Sequence, residues 1–175
     1  MLHSAINDGI QVEFHYGNYD VDKQLHPRLN NAGNPKLYVI NPYEIAVANG
    51  RYYLIANVHK YSGLSHYRID RIMDIKRKKK HAKPLNDVDG LENGLDVATY
   101  VSQHPYMYSG EVASYQIRVK RTSINDVLDW FGTDIRLEAI DDKTADVYVI
   151  SDPASVDFWL RRYKESAKLI RAENE

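Results

Sequence analysis

The sequence predicts an α+β protein: a small antiparallel β-barrel with one short leading helix, followed by a ferredoxin-like α/β sandwich domain. Three observations lead to this fold class. Short segments of alternating polar and apolar residues follow one another between residues 10 and 80, as in half-buried strands. An Asn-Gly pair joins two of these segments. Beyond residue 110 the predicted order becomes β-α-β-β-α, with a further strand at the segment KLI.

The first half opens with a helix over residues 2–8, which turns at Gly9 into a strand. In that strand Val12, Phe14 and Tyr16 alternate with polar residues, which is the period of a half-buried strand. The following residues, up to position 36, are rich in Asn, Asp, Gly and Pro. This composition predicts a long loop or an irregular hairpin.

The next two strands meet at Asn49-Gly50, because both residues tolerate the positive φ that a type I′ hairpin turn requires. The turn opens the segment NGRYYLIA. A later segment, SHYRIDRIMDIKRKK, predicts a strand, a kink near Arg71-Ile72 and a last strand that enters a basic run. Several short strands in succession favour the small barrel.

The change of pattern near residue 110 divides the chain into a barrel domain at 1–83, a connector at 84–110 and a sandwich domain at 111–175. The connector contains turn residues around a possible helix from Leu95 to Gln103. In the sandwich domain Ser123 is predicted to cap the first helix and Asp152 the second, with Pro153 at its first helical position.

Composition and charge restrict the function classes. The chain has no cysteine, so a disulfide scaffold and a thiolate metal site are excluded. No apolar run reaches the roughly 20 residues of a membrane span, and no signal peptide is visible, so the cytoplasm is the expected location. Residues 1–83 hold 13 Lys+Arg against 7 Asp+Glu, whereas residues 84–175 hold 10 against 17. An anionic partner is therefore expected on the first half, unless the run KRKKKHAK only solvates a face.

No enzymatic chemistry is predicted. The sequence lacks a glycine-rich phosphate loop, a Gly-x-Ser-x-Gly elbow and a His-Glu-x-x-His pair. The seven histidines show no metal-ligand spacing, and the carboxylates of the second half fall on helix caps and turns. We therefore predict no catalytic residue, no metal and no cofactor.

Tyrosines and arginines of the first half form a different constellation. Eight of the fourteen tyrosines fall there. Rings of this kind stack on bases, while guanidinium groups bind phosphates through two hydrogen bonds. Tyr52 and Tyr53 lie on opposite faces of one strand, so either ring can face a pocket. A kink after Arg68 could bring Arg71 to the same side. The alternative is that Arg68 and Asp70 form a salt bridge and the tyrosines only rim the barrel.

The segments VINPYEIAVANGRYYLIA and HYRIDRI, in this order, resemble the WYL domain family over roughly residues 1–80. The family's Trp-Tyr-Leu triplet appears as Tyr52-Tyr53-Leu54, and its Arg-x-x-Arg element as Arg68 and Arg71. Two positions depart from the family: Tyr52 replaces the tryptophan, and Tyr38 replaces a basic residue that often precedes the family's proline.

The resemblance implies an SH3/Sm-like barrel with a 3₁₀ turn before its last strand, and a C-terminal extension domain. It also implies the ligand-sensing region of a transcriptional regulator. The ligand would be a nucleotide or single-stranded nucleic acid. DNA would be bound through a winged helix absent from this chain, in a homodimer without a membrane anchor. Carried over by position, the candidate ligand-binding residues are Tyr52, Tyr53, Arg68, Arg71, Tyr16 and Tyr43. The alternative function is a protein-interaction or oligomerisation module with no small ligand.

Overall fold

Two antiparallel sheets, one in each half of the chain, organise the structure. The computed structural model describes residues 1–58 and 60–173, and it divides into two units, Met1–Val97 (unit 1) and Ala98–Glu175 (unit 2). The mixed α+β class with antiparallel sheets is confirmed. The finer domain bounds at 1–83, 84–110 and 111–175 stay a prediction.

Unit 1 begins with the helix α1 (Leu2–Asn7), and the strands that follow were nearly all expected. Its strands are β1 (Ile10–Tyr19), β2 (Leu25–Pro27), β3 (Leu37–Ala48), β4 (Arg51–Asn57), β5 (Leu64–Arg68) and β6 (Ile72–His81). The short β2 pairs with the end of β1, so the predicted loop-rich segment is an irregular hairpin.

The sheet of unit 1 does not close into a barrel. Its strands run in the order β6-β1-β3-β4-β5. Between β5 and β6 the described residues form no ladder; a 3₁₀ turn, Ile69–Arg71, connects these strands instead. The predicted barrel is therefore corrected to an open sheet. The physical reason is that the turn takes the chain out of the extended conformation where the two end strands would have to pair.

The core of unit 1 is rich in aromatic rings. Val12, Phe14 and Tyr16 are buried, as the alternating pattern predicts. Phe14 stacks on Tyr38 with ring centroids 5.8 Å apart, and Tyr67 meets Phe14 and Tyr16 edge-on at 5.3 Å. These tilted and offset arrangements are the ones aromatic pairs prefer. They give the open sheet a core without closure.

A chain of buried amides crosses the sheet. Gln11 donates to the Asn41 side-chain oxygen at 2.9 Å, and Asn41 donates to that of Asn57 at 3.2 Å. Asn57 in turn donates to the backbone carbonyls of Tyr61 and Gly63. All three amide side chains belong to residues at most 4% exposed, so their hydrogen bonds meet the requirement that buried polar groups be paired.

The geometry of the sheet requires glycine at two positions, Gly50 in a turn and Gly17 within β1. The β3–β4 hairpin has Asn49 at φ 51° and Gly50 at φ 67°, which confirms the predicted turn conformation. At Gly17 the strands β1 and β2 approach so closely that an added Cβ would lie 2.6 Å from Leu25 Cγ and 2.9 Å from the His26 carbonyl oxygen. Only a residue without a side chain fits there.

The strand β6 carries the basic run. Lys76, Lys79 and Lys80 are exposed, whereas Arg77 pairs with Asp8 at 2.7 Å and Lys78 with Glu13 at 2.8 Å. In the described part of the chain β6 pairs with β1 alone, so its other edge is free.

Unit 2 follows the predicted order of strands and helices. Its elements are α2 (Val97–Gln103, which begins at the unit boundary), β7 (Ala113–Lys120), α3 (Ile124–Phe131), β8 (Arg136–Ala139), β9 (Thr144–Ser151), α4 (Pro153–Arg162) and β10 (Ala167–Glu173). The sheet order is β10-β7-β9-β8.

One face of this sheet packs against the helices. Ile117 and Val147 from the sheet are buried with Val127 of α3 and Trp159 of α4. At the helix starts, Asp152 accepts a hydrogen bond from the Ser155 N–H at 2.8 Å, as predicted for an N-cap. Ser123 precedes α3 but makes no side-chain capping bond, because a 3₁₀ turn over Arg121–Ser123 already leads into that helix.

Within the described residues, no helix is long and apolar enough to cross a membrane.

We expect Gly17→Ala to lower the free energy of unfolding by about 1–3 kcal/mol, because the new methyl group overlaps Leu25 and the His26 carbonyl. Gly63→Ala is the matched control, since a Cβ there meets nothing within 4 Å. Urea unfolding followed by near-ultraviolet circular dichroism measures both variants. Equal stability of the two variants would show that β1 and β2 can separate at no cost.

Candidate functional site

Tyr16 lies at the centre of the candidate site. Its ring belongs to the aromatic core, and its hydroxyl accepts a hydrogen bond from the Arg68 backbone N–H at 3.0 Å. Burial raises the pKa of the Tyr16 hydroxyl, while the Arg68 hydrogen bond and the charges of Arg71, Arg28 and Arg68 act to lower it. The charges of three arginines therefore act on this hydroxyl.

The 3₁₀ turn places two of these arginines. Arg68 ends β5 in an extended conformation, and Arg71 is the last residue of the turn before β6 begins. The predicted kink is thus confirmed. Because Ile72 pairs with Tyr16 on β1, the end of the turn is held beside the Tyr16 ring. In a continuous strand, side chains alternate between faces, so Arg68 and Arg71 would lie on opposite faces. The 3₁₀ turn over Ile69–Arg71 interrupts that alternation.

Arg28 is the third arginine, and the sequence analysis missed it. Its Cζ lies 4.9 Å from the Tyr16 ring centroid, and its backbone N–H donates to the Tyr16 carbonyl at 2.9 Å. The guanidinium also donates to the Asn18 side-chain oxygen at 3.2 and 3.3 Å. Arg28 follows a segment that looked like loop, and only the pairing of β2 with β1 brings it to Tyr16.

Arg68 already has an acidic partner. Its Nε and Nη2 donate to the two Asp70 oxygens at 3.0 and 2.6 Å. This bidentate bond raises the pKa of Arg68 and lowers the pKa of Asp70. The salt bridge that the sequence analysis kept as an alternative is therefore present. Asp70 also lies close enough to Arg71 and Arg51 for their charges to lower its pKa.

Arg71 differs from Arg68 because its guanidinium has no acidic partner in the described residues. Its Nε is buried and makes no hydrogen bond to any described group. A buried donor without an acceptor costs free energy, and a donor of a charged group costs more than a neutral one. Arg71 thus carries one buried donor, Nε, that has no acceptor among the described residues.

The other three predicted tyrosines, Tyr53, Tyr52 and Tyr43, lie in different environments. Tyr53 pairs with Arg68 across β4 and β5, so these side chains share a face. Tyr52 lies on the opposite face of β4, at its exposed end, with 61% of its surface accessible. Tyr43 donates its hydroxyl to the Lys83 carbonyl at 3.0 Å, and its pKa is raised to about 12 by burial and by Asp87. Of these three tyrosines, Tyr53 is the one that is paired with an arginine of the site, Arg68.

A second aromatic and basic surface borders the site. Lys36 Nζ lies 4.8 Å from the Tyr38 ring centroid, and Lys60 Nζ lies 4.8 Å from that of Tyr61. Tyr38 replaces the basic residue expected there by resemblance to the family, and Lys36 brings a positive charge to the same ring.

We call Tyr16, Arg28, Tyr53, Arg68 and Arg71 the Tyr/Arg site.

The arrangement provides cations and rings, which suit a flat anion. Among residues 1–58 and 60–173, no group of three or more His, Asp or Glu side chains is placed to hold a metal ion. A cavity of ≈550 Å³ lies in unit 2, and no residue of the Tyr/Arg site lines it. At the Tyr/Arg site Tyr16 is buried, the Arg68 side chain is 17% exposed and Arg28 is exposed.

Comparison with known proteins supports the resemblance seen in the sequence. A family model described as "WYL domain" matches residues 1–77. No curated protein sequence matches the chain. Among solved structures, proteasome accessory factor B/C (PafBC) of Arthrobacter aurescens is similar at 15% identity and a TM-score of 0.37. The match covers 97% of this chain and 23% of that one, and a TM-score of this size does not establish a common overall arrangement.

We expect Tyr16→Phe to lower the free energy of unfolding by about 1–3 kcal/mol, because the Arg68 N–H loses its acceptor. Hydrogen exchange of the Arg68 amide, followed by NMR, should accelerate with it. Tyr52→Phe is the control, and its exposed hydroxyl should change stability by less than about 0.5 kcal/mol. Identical Arg68 exchange rates in the two variants would contradict the role given to the Tyr16 hydroxyl.

The pKa of Tyr67 predicts an alkaline loss of stability. Burial raises this pKa from 10.0 to about 12. The unfolded chain therefore ionises first, so the stabilising effect is complete below pH 10 and is lost as the pH rises towards 12. Urea unfolding at several pH values should show Tyr67→Phe losing roughly 2–3 kcal/mol less than the parent over this window. Parallel declines in the two proteins would refute the assignment.

Proposed function

We propose, on the premise that residues 1–77 form a WYL domain, that this chain is the ligand-sensing region of a DNA-binding transcriptional regulator. The ligand is a nucleotide or a single-stranded nucleic acid, and it binds at the Tyr/Arg site. The single observation that carries this proposal is the buried Arg71 Nε, which has no acceptor among the described residues. The family match supports a regulatory role, and the site geometry supports the choice of ligand.

A phosphate group satisfies Arg71 in a way that no nearby side chain does. It supplies acceptor oxygens to the Arg71 guanidinium, and its negative charge is balanced by Arg28 and Arg68, whose charges also act on the Tyr16 hydroxyl. The ring of Tyr53 shares a face with Arg68, where a base can stack. Rings and guanidinium groups are the combination that holds single strands without reading their sequence.

Asp70 sets the strength of this site. It accepts hydrogen bonds along the Nε–Nη2 edge of the Arg68 guanidinium, so an incoming phosphate competes with it for that edge. The positive charges of Arg68, Arg71 and Arg51 act on the Asp70 carboxylate. Those of Arg71, Arg28 and Arg68 act on the Tyr16 hydroxyl, so four arginines contribute in all. Against one carboxylate, the local balance remains positive and favours an anion.

The finer fold assignment belongs to the same proposal. We assign unit 1 to the SH3/Sm-like small barrels in an open form, supported by the strand order β6-β1-β3-β4-β5 and by the 3₁₀ turn before the last strand. We assign unit 2 to the ferredoxin-like sandwiches, supported by the order β10-β7-β9-β8 and the alternation of strands with α3 and α4. Unit 2 then acts as the C-terminal extension of the sensor.

The whole regulator contains more than these 175 residues in this proposal. DNA is bound by a winged-helix domain outside this chain, in a homodimer that works in the cytoplasm without catalysis or a cofactor. A ligand at the Tyr/Arg site changes the affinity of that dimer for its operator. Electrophoretic mobility shifts of the full-length regulator, with and without ligand, test this step separately from ligand binding.

A protein-interaction module is the second candidate, and one observation favours it. Val47 and Tyr52 are directly paired across β3 and β4, and both are more than half exposed, at 56% and 61%. An exposed aromatic beside an exposed aliphatic side chain is a suitable contact for a partner peptide. In this alternative the exposed face of the β3–β4 hairpin docks a protein, and the arginines are only residues at its border.

We expect Arg71→Ala and Arg68→Ala each to weaken binding of a fluorescein-labelled single-stranded oligonucleotide at least tenfold, measured by anisotropy. Binding of the parent should fall steeply with salt, with a slope of log Kd against log salt of about 0.7 per neutralised phosphate. Asp70→Asn should tighten binding severalfold, because it frees Arg68. The matched control Arg161→Ala removes an exposed arginine of α4 and should leave binding unchanged.

Circular dichroism must show that each variant stays folded. If the parent binds neither the oligonucleotide nor a nucleotide at low salt, the sensor proposal fails. Retained binding in Arg71→Ala would also defeat it, since the unsatisfied Nε is its basis. A partner protein captured by the parent but not by Tyr52→Ala would then favour the interaction module.

A further inference from the structure

A row of four side chains crosses the sheet of unit 2 on the face opposite its hydrophobic core. Arg171 pairs with Gln116, Gln116 with Tyr148, and Tyr148 with Arg136, so one residue comes from each strand. Paired residues share a face, and the buried Val147 and Val149 beside Tyr148 belong to the other face. An arginine thus stands at each end of a row about 14 Å long, three strand spacings across.

This row lines a cavity of unit 2. Its volume is ≈550 Å³, within the range of small-ligand sites. All four residues of the row border it, together with Ser102 of α2 and with Phe131, Ile135 and Val149, which belong to or pack against the hydrophobic core. We call this space the open-face cavity. It lies entirely within unit 2 and shares no residue with the Tyr/Arg site.

The two arginines of the row are held only by weak partners. Arg136 pairs with Glu138 at 3.1 Å, and Arg171 pairs with Glu173, each two residues further along the same strand. The side chains of both arginines are 69% exposed, and exposed ion pairs of this kind contribute little. Either guanidinium can therefore exchange its carboxylate for a phosphate group, which accepts two parallel hydrogen bonds from arginine in a bidentate arrangement.

The centre of the row is better ordered. The Arg136 Cζ lies 4.4 Å from the Tyr148 ring centroid, and the Tyr148 hydroxyl donates to Glu138 at 3.1 Å. Gln116 donates its amide N–H to the buried Asp146 at 2.7 Å, which fixes the end of the amide that carries the oxygen. The cavity thus offers a stacked planar surface next to an oriented amide.

These groups match the parts of one ligand class. We propose that the open-face cavity is a second binding site and that it takes a mononucleotide. The base stacks on the Tyr148–Arg136 pair, the phosphate binds a guanidinium at one end of the row, and Gln116 and Ser102 bond to the base edge or sugar hydroxyls. Asp134 and Glu173 also line the cavity, and residues 84–175 carry a net charge of 10 − 17 = −7. This balance accepts one phosphate and disfavours a polyanion.

The test uses the whole chain carrying Arg68→Ala and Arg71→Ala, so that the Tyr/Arg site is disabled. Adenosine monophosphate is the probe, and isothermal titration together with ligand-observed NMR measures its binding. We expect binding to persist in this background. Adenosine, which lacks the phosphate, should bind at least fivefold more weakly, and inorganic phosphate should not displace the nucleotide at equal concentration.

In the same background, Arg136→Gln with Arg171→Gln should weaken adenosine monophosphate at least tenfold, and Tyr148→Leu at least fivefold. Arg161→Gln is the matched control, since it also removes an exposed, ion-paired arginine from unit 2 but lies outside the cavity. Arg161→Gln should bind adenosine monophosphate with the same affinity as the chain that carries only Arg68→Ala and Arg71→Ala. Thermal unfolding checks that the variants stay folded.

Three results would overturn the second site. They are no binding of adenosine monophosphate at millimolar concentration, equal affinity in Arg136→Gln/Arg171→Gln and Arg161→Gln, and equal affinity for adenosine and its monophosphate. Loss of all nucleotide binding on Arg68→Ala and Arg71→Ala would place the nucleotide in unit 1 instead. That outcome rejects this inference while supporting the sensor, so the two proposals fail independently.

Discussion

The hydrogen bond from the Arg68 N–H to the Tyr16 hydroxyl joins parts of unit 1 that no strand pairing joins. β5 ends at Arg68 and β6 begins at Ile72, and the described strands β5 and β6 do not pair. The bond links positions 52 residues apart and leads from the aromatic core to the 3₁₀ turn. Because the ring is held by Phe14, Tyr38 and Tyr67, the hydroxyl is a fixed acceptor. Together with the pairing of Tyr53 with Arg68 before the turn and of Tyr16 with Ile72 after it, this contact positions the turn and Arg71.

The two units use the same residue types in different ways. In unit 1 the buried Nε of Arg71 has no acceptor among the described residues, which costs free energy. In unit 2 the arginines lie on an open sheet face and keep nearby carboxylates as exchangeable partners. The first arrangement favours an anion strongly at one point. The second spreads weak interactions over a wide surface, where shape and stacking decide what binds.

Much of the fold could be predicted from the sequence because it depends on local patterns. The alternation in β1, the Asn49-Gly50 turn and the Asp152-Pro153 helix start are each determined by a few neighbouring residues. The open sheet could not be predicted, since closure depends on whether β5 and β6 pair across the turn between them, which the alternation within each strand does not determine. For the same reason Arg28 was missed: its contact with Tyr16 exists only after β2 folds onto β1. The Arg68 and Arg71 pair was recognisable from its spacing, whereas the lack of an acceptor at Arg71 is visible only in three dimensions.

An open sheet exposes the backbone groups of its end strands, and β6 is one of these. Free edges of this kind invite a second chain to add a strand, which leads to uncontrolled association. The exposed Lys76, Lys79 and Lys80 stand along that strand. To dock there, another copy of the sheet would have to bring its own lysines against these. Charge repulsion between these lysines therefore opposes the addition of a second copy along β6, whether or not any anion ever binds there.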